Sequence, residues 1–566
     1  MRLVLSSLLL SVLALNHVIA APQVTLNSNE VISGIGDSQV ESFKGIPFAE
    51  PPLGDLRFRA PVEYNHSYDG LKATSFGHTC LGVNPSGVLD LLNTLITLNP
   101  LNAALQQLVS PVQSLTNMVD LSEDCLFLNV YRPAGSKAGD KLPVMVWFFG
   151  GAFIFGSGST YDGGKYVKAS QRISQPVVVV TFNHRLGPFG YLGGSAVKAE
   201  GEGNPALLDQ RLVLQWVQKH ISQFGGDPDK VTLFGESAGG MNIFAQMAMY
   251  DGDNTYNGKP LFRGAIMQSG SLLPMETITD SRPQKLYHHF ADAAGCSNLG
   301  DSDTMTCLRG KSTSTLSAAM NSWGLADGFG VMDMFITWSP RADGNILRDI
   351  PYKLVDAGKF AKVPYIIGNQ NDEATLFAAL LSWSSWSESQ VQSLAQNLLF
   401  KSTESQRSQL LSLYPQDPSQ GAPWGTGLLY SLGLGIQFKR IAGLLTDLLY
   451  HANRRRLLWS DNSIPRWNYL SKALSGLPYL GTTHANDLIW QWFLDLGPYR
   501  AYQEYFIAFA NHLDPNVGVS LSNWPKYTNS DKKTLEIGFG TLGTTTDDFR
   551  NNKIQWMIDN PEAIAL

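Results

Sequence analysis

Gly235-Glu236-Ser237-Ala238-Gly239 constrains this chain more than any other stretch. It follows an apolar strand pattern, Val231-Thr232-Leu233-Phe234, and opens a helical pattern from Ala238 to Met249. A G-x-S-x-G segment between strand and helix is a nucleophile elbow, a tight turn that holds the serine on strained backbone. Its glycines let neighbouring chain approach without a Cβ clash. The helix N-terminus then points at the serine, and its free N–H groups favour negative charge there. Five residues can match by chance; the strand-turn-helix setting gives the match its weight.

That setting repeats along the chain. Short apolar runs at Cys125–Tyr131, Pro143–Phe149, Pro176–Phe182, Val231–Phe234, Gly264–Gln268, Val363–Gly368 and Pro465–Leu470 read as strands. Several are apolar throughout, as strands buried on both faces of a mostly parallel sheet should be. Gln210–Phe224 reads as an amphipathic helix with Leu212, Leu214, Val217 and Ile221 near one face, ended by Gly225-Gly226. Strands alternating with helices imply an α/β fold. No repeat, charge block or linker-like stretch divides the chain, so residues 21–566 are expected to form one elaborated domain whose insertions account for its length.

Charge and the N-terminus set the compartment. Lys and Arg total 42 against 48 Asp and Glu, a net −6 that leaves no electrostatic footprint for nucleic acid or anionic membrane. Arg2, the apolar run Leu3 to Leu15 and the small-residue exit Val18-Ile19-Ala20 read as a signal peptide over residues 1–20. No other stretch has the roughly 18 uncharged apolar residues of an integral membrane span. Export makes the four cysteines a disulfide question with three possible pairings. Local pairing would join Cys80 to Cys125 and Cys296 to Cys307, worth about 4 and about 3 kcal/mol on a chain-entropy model. Metal binding is the rival use, but no C-x-x-C or histidine cluster supports it. Asn65-His66-Ser67 is a glycosylation sequon.

A serine hydroxyl needs a base to take its proton. In an α/β-hydrolase arrangement the partners follow in the order serine, acid, histidine. The histidines beyond Ser237 are His288, His289, His451, His484 and His512. His288 and His289 adjoin on a helical pattern and precede the best acid. His451 stands beside Arg454, Arg455 and Arg456 and reads as solvated, while His512 ends a helix. Spacing favours His484, in the Gly/Thr loop Gly481-Thr482-Thr483 that follows a strand. The acid should lie just past a strand end, where Asp372 and Glu373 both follow Val363–Gly368; spacing does not choose between them.

These residues belong to longer matches. Phe224-Gly225-Gly226-Asp227-Pro228-Asp229-Lys230-Val231 running into the elbow, and Glu123-Asp124-Cys125-Leu126-Phe127-Leu128-Asn129-Val130, resemble the two signatures of the type-B carboxylesterase/lipase family. Phe43-Lys44-Gly45-Ile46-Pro47-Phe48-Ala49 and Phe149-Gly150-Gly151-Ala152-Phe153 match as well. The resemblance covers nearly the whole mature chain and is closest to extracellular fungal lipases of the Geotrichum and Candida rugosa kind.

It implies an α/β-hydrolase fold with a large, mostly parallel sheet, helices on both faces and a disulfide-bounded lid. It assigns Ser237 as nucleophile, Glu373 as acid and His484 as base, since Asp372-Glu373-Ala374-Thr375 aligns with the family's D-E-G-T loop, alanine replacing the glycine. The oxyanion donors would be the backbone amides of Gly151, Ala152 and Ala238. His484-Ala485-Asn486-Asp487 resembles the family's H-x-x-D stretch, and Asn183-His184-Arg185 stands where N-Y-R is common. No metal or organic cofactor is required.

The lid expectation rests on residues about 81–124. From Leu91 to Val119 there is no charged residue, and Val88, Leu92, Leu95 and Ile96 share one helical face. Exposing four such side chains costs at most about 6–12 kcal/mol, most of which an oil surface removes. A secreted triacylglycerol lipase acting on long-chain esters at oil–water interfaces is therefore expected, as a monomer or a weak dimer through open lids. The alternative is a broad carboxylesterase or sterol esterase.

Overall fold

The computed structural model describes residues 21–26, 29–83, 120–322, 337–381, 386–428, 435–493 and 500–566. The signal-peptide residues and the apolar stretch from Val88 to Val119 lie outside them. Eleven strands form the main sheet: β1 (Ile35–Gly36), β2 (Val40–Pro47), β3 (Phe127–Pro133), β4 (Leu142–Phe148), β5 (Val178–Phe182), β6 (Gly226–Glu236), β7 (Gly264–Gln268), β8 (Tyr365–Gln370), β9 (Arg466–Ser471), β10 (Lys533–Ile537) and β11 (Leu542–Thr546). Their spatial order is β11-β10-β9-β8-β7-β6-β4-β5-β3-β2-β1. Helices used below are α1 (Pro205–His220), α2 (Ala238–Ala248), α3 (Ser281–Ala293), α4 (Glu388–Leu398), α5 (Glu404–Leu413), α6 (Ala452–Ser460) and α7 (Ala501–His512).

All seven expected strands are present, and every pairing from β10 across to β5 is parallel. The remaining pairings, β11 with β10 and those among β5, β3, β2 and β1, are antiparallel. Strands β5, β7, β8 and β9 are buried at every residue, which only layers on both faces can achieve. Exposed positions in β11 and β1 mark the two edges of the sheet. The helix expected over Gln210–Phe224 begins earlier, with Pro205 in its first turn, and ends at His220 before a 3₁₀ turn over Ile221–Phe224.

Both local disulfides form, Cys80–Cys125 and Cys296–Cys307. The first ties together the two ends of the stretch expected to form a lid. There Thr79–Cys80 pairs in parallel with Leu121–Ser122, and Arg57 grips Glu123 through Nε and Nη2 at 2.6 and 2.7 Å. The same guanidinium donates to the carbonyls of Arg309 and Lys311. Hence the chain around the first disulfide is fastened to the segment beside the second. Asn65 is exposed on the surface. Among the described residues no helix is long and apolar enough to cross a membrane.

His451 corrects the sequence reading: it is fully buried, not solvated. Two of the three arginines that made the stretch look wet, Arg454 and Arg455, are buried too. Arg454 donates to both oxygens of Asp547 at 2.9 and 2.8 Å, and Arg455 Nε adds a third bond at 3.0 Å. Burial alone would raise the Asp547 carboxyl; Arg454 and Arg455 outweigh it and hold it down at about 2. Burial, with Arg550, Arg454 and Arg455 nearby, keeps His451 neutral by pushing it well below the usual imidazole range. Removing one partner of such a cluster strands the others. Asp547→Asn is therefore expected to cost about 3–5 kcal/mol of unfolding free energy, read from the denaturant midpoint. The sign with pH follows: Asp547 stabilises the fold above its unfolded pKa of about 4, and that contribution fades as pH falls toward 2.

Candidate active site

Strand β6 delivers Ser237 at its end, and α2 begins at the next residue. Ser237 has φ 57° and ψ −127°, a region few side chains adopt and one that costs about 1–3 kcal/mol. The turn survives because its surroundings leave no alternative. A Cβ on Gly239 would sit 2.0 Å from the carbonyl oxygen of Phe148, so only glycine lets α2 pack this close to β4.

The register of the sheet then brings the other loops in. Gly235 pairs with Phe148 on β4, which places the loop after β4 alongside the elbow. A Cβ on Gly150 would lie 3.0 Å from the Ser237 Cβ. Gly151 has φ 117°, and Ala152 and Phe153 also have positive φ, so this loop is tightly coiled where it passes the serine. Beneath it His184 stacks flat on Phe149 at 4.6 Å, and burial pushes its imidazole down to about 4. Its part is packing.

On the other side, β8 and β9 end level with one another, Gln370 opposite Ser471. Their following loops are stitched together: Asp372 N donates to Thr482 O, Thr482 N to the Asp372 carboxylate, and His484 N to Glu373 O. Asp372 also accepts from Trp424 N and Asn371 Nδ2. It is a loop staple, raised to about 6 by burial in spite of these bonds. Glu373, fully buried, reaches the histidine instead. Ala374 keeps an ordinary negative φ, so the replacement of glycine there leaves the loop in place.

Ser237, His484 and Glu373 meet. Ser237 Oγ lies 2.7 Å from His484 Nε2, and His484 Nδ1 lies 2.6 Å from Glu373 Oε2. The other Glu373 oxygen accepts from Gln370 N at 2.8 Å and Asn369 Nδ2 at 3.1 Å. The rings of Tyr450 and Phe377 flank the imidazole at 4.9 and 5.3 Å. Ala238 heads α2 directly after the serine, and Gly150, which packs against Ser237, immediately precedes the other two proposed amide donors, Gly151 and Ala152. His288, His289 and His512 fall elsewhere, on α3 and at the end of α7.

Two further carboxylates enter the site that spacing arguments passed over. Glu236 Oε1 lies 3.3 Å from His484 Nε2, and Tyr469 OH donates to Asp487 at 3.0 Å. Both are buried, and burial pushes Glu236 up to about 8 and Asp487 up to about 7. For His484 burial opposes charging, but Glu236, then the hydrogen bond and charge of Glu373, outweigh it and push it up to about 9. The site thus holds one imidazole in reach of the charge of three carboxyl groups, Glu236, Glu373 and Asp487. The signal for Glu236 was its place inside the elbow motif; for Asp487, its place as the last residue of the H-x-x-D stretch that begins at His484.

Comparison with known proteins follows this geometry. The model of a family described as the carboxylesterase family matches residues 17–421. "Lipase 1" of Geotrichum candidum is 48% identical over 533 residues, covering 94% of both chains. "Secreted triacylglycerol lipase LIP1" of Gibberella zeae is 37% identical, covering 96% of this chain and 91% of its own. Among solved structures, Aspergillus niger EstA superposes with a TM-score of 0.77 at 25% identity, covering 96% of this chain and 99% of EstA. The chain belongs to the carboxylesterase family.

Proposed function

We propose that this protein is a secreted triacylglycerol lipase that cleaves long-chain acyl esters through an acyl-enzyme on Ser237. The observation that carries the reading is the relay from Ser237 Oγ to His484 to Glu373, at 2.7 and 2.6 Å. Relatives whose names include "lipase", "secreted" and "triacylglycerol" support the substrate and the compartment.

The chemistry runs through this chain's own atoms. His484 Nε2 takes the Ser237 proton as Oγ attacks the ester carbonyl, while Glu373 holds Nδ1–H and favours the imidazolium. The amides of Gly151, Ala152 and Ala238 donate to the oxyanion, each such donor being worth about 10² to 10³ in rate. The imidazolium then protonates the departing alcohol. Water enters, His484 deprotonates it, and a second tetrahedral species collapses to free acid and serine.

A chain-length panel tests this reading. Triglyceride emulsions of increasing acyl length should be cleaved faster than water-soluble esters, with a rise as a short-chain ester crosses its solubility limit. Preference for cholesteryl esters, or for dissolved short esters with no such rise, would replace the lipase reading by a sterol esterase or carboxylesterase.

His484 must be neutral to act as base, so activity should fall as pH drops through its pKa. Glu236 is the foremost of the groups that hold a proton on it. Glu236→Gln removes that charge at nearly constant shape, so the imidazole loses its proton at lower pH. The acid limb of kcat/KM is expected to move down by about one unit; a limb that stays put would show that Glu236 does not set it.

A further inference from the structure

The peptide group that joins Glu373 to Ala374 is held on both sides. Its carbonyl accepts from His484 N at 3.1 Å, and its N–H donates to Thr446 Oγ1 at 2.9 Å. The first bond ties the acid's loop to the base's loop. The second reaches a residue that the hydrolytic mechanism does not use, at the end of the helix Ile436–Thr446. Thr446 and Ala374 are both fully buried. The sequence neighbours Leu444, Leu445, Leu448 and Leu449 are buried apolar side chains. A hydroxyl withdrawn from water in such company needs a partner, and the Ala374 amide is one.

Thr446 is itself anchored. Arg440, on the same helix, donates to Glu388 in the first turn of α4 and to the carbonyl of Tyr414, just past α5. After Thr446 the chain makes one π turn, Asp447–His451, before α6 begins. Such turns are rare and concentrate at functional sites. Asp447 accepts from Tyr414 OH at 2.9 Å and from Arg550 Nε and Nη2 at 3.0 and 2.8 Å. Asn453 Nδ2 donates back to the carbonyls of Leu448 and Leu449 within the turn. The same turn sets the Tyr450 ring 4.9 Å from the His484 imidazole. One fixed segment therefore meets the acid's backbone at Thr446 and the base's ring at Tyr450.

From this geometry we propose that Thr446 is a positioning residue of the relay, setting the Glu373 carboxylate through the Ala374 amide; the inference rests on the Ser237–His484–Glu373 reading above. The Glu373 side chain leaves the Cα that this peptide carries, so a rotation of the peptide swings the carboxylate away from His484 Nδ1, which it meets at 2.6 Å. Gln370 N and Asn369 Nδ2 restrain one carboxylate oxygen from the residues before the acid. Thr446 supplies a restraint after it, from outside both catalytic loops. A misplacement of about 1 Å in a catalytic constellation costs about 10² in rate.

The test measures kcat and KM separately on a water-soluble ester, in the native full chain and in the Glu373→Gln background. Thr446→Val keeps the shape of the side chain and removes its oxygen, whereas Thr446→Ser keeps the oxygen and removes the methyl group. Thr446→Val is expected to lower kcat about 10- to 100-fold with KM unchanged, and Thr446→Ser to restore it to within about threefold of native. A residue that acts through Glu373 has little left to act on once that carboxylate is gone. In the Glu373→Gln background the valine substitution should therefore cost less than about threefold more. Denaturant midpoints report that each variant is folded, and Thr446→Ala repeats the comparison where the valine variant fails to fold. An equal loss in the serine and valine variants would make the methyl group, and so packing, the cause and overturn the proposal. The same fold-loss in both backgrounds would overturn it too. Native turnover in Glu373→Gln alone would instead overturn the relay on which the proposal rests.

Discussion

Ser237→Ala is expected to lower kcat on any ester by about 10⁵- to 10⁶-fold while the protein stays folded. The size follows from what the hydroxyl does: without it no acyl-enzyme forms, and His484 has no oxygen to deprotonate at 2.7 Å. The fold is spared because alanine keeps the Cβ that the φ 57°, ψ −127° turn already accommodates, and because the Ser237 side chain caps no amide of α2. What remains should be the residual rate enhancement that amide donors and binding alone provide, about 10³ to 10⁴ over water. A serine-directed phosphonate should label the native protein stoichiometrically and the variant not at all. Retention of native turnover would remove Ser237 from the mechanism and with it the hydrolase reading.

The elbow was readable because fold and chemistry demand the same residues: the glycine that lets α2 approach β4 is the one that exposes the serine. His484 was readable for a similar reason, since a Gly/Thr loop after a strand can aim a side chain at the end of the sheet. The choice between Asp372 and Glu373 was not readable from spacing and came only from the family resemblance. Both are buried in one loop, and what separates them is that Asp372 meets the amides of Trp424 and Thr482, far away in sequence. His451 was misread by the same blindness. A run of three arginines reads as solvated surface until Asp547, more than ninety residues later, supplies the charge that buries two of them. The edge strand β11 and its antiparallel neighbour β10 escaped notice because their exposed and half-exposed positions break the apolar continuity that marked the centre. Local pattern, then, records what each segment buries, while partners supplied by distant segments leave no local trace.

Glu373→Gln turns that distinction into a measurement. One carboxylate oxygen accepts from Gln370 N and Asn369 Nδ2, so in the variant the amide oxygen must occupy that side. The amide NH₂ is thereby aimed at His484 Nδ1, 2.6 Å from the other oxygen in the native site. A donor there forces Nδ1 to accept, which moves the imidazole proton to Nε2, facing Ser237. The base is then in the wrong tautomer, and kcat is expected to fall by about 10⁴ with little change in stability. Asp372→Asn should behave in the opposite sense. Its carboxylate accepts from Trp424 N on one oxygen and Thr482 N on the other, so an amide must set a donor against one of them. That variant should lose about 1–3 kcal/mol of stability and lose activity chiefly through the displaced histidine loop. Turnover and denaturant midpoint measured side by side separate the two: if Glu373→Gln unfolds the protein while Asp372→Asn only silences it, the acid of the relay has been misassigned.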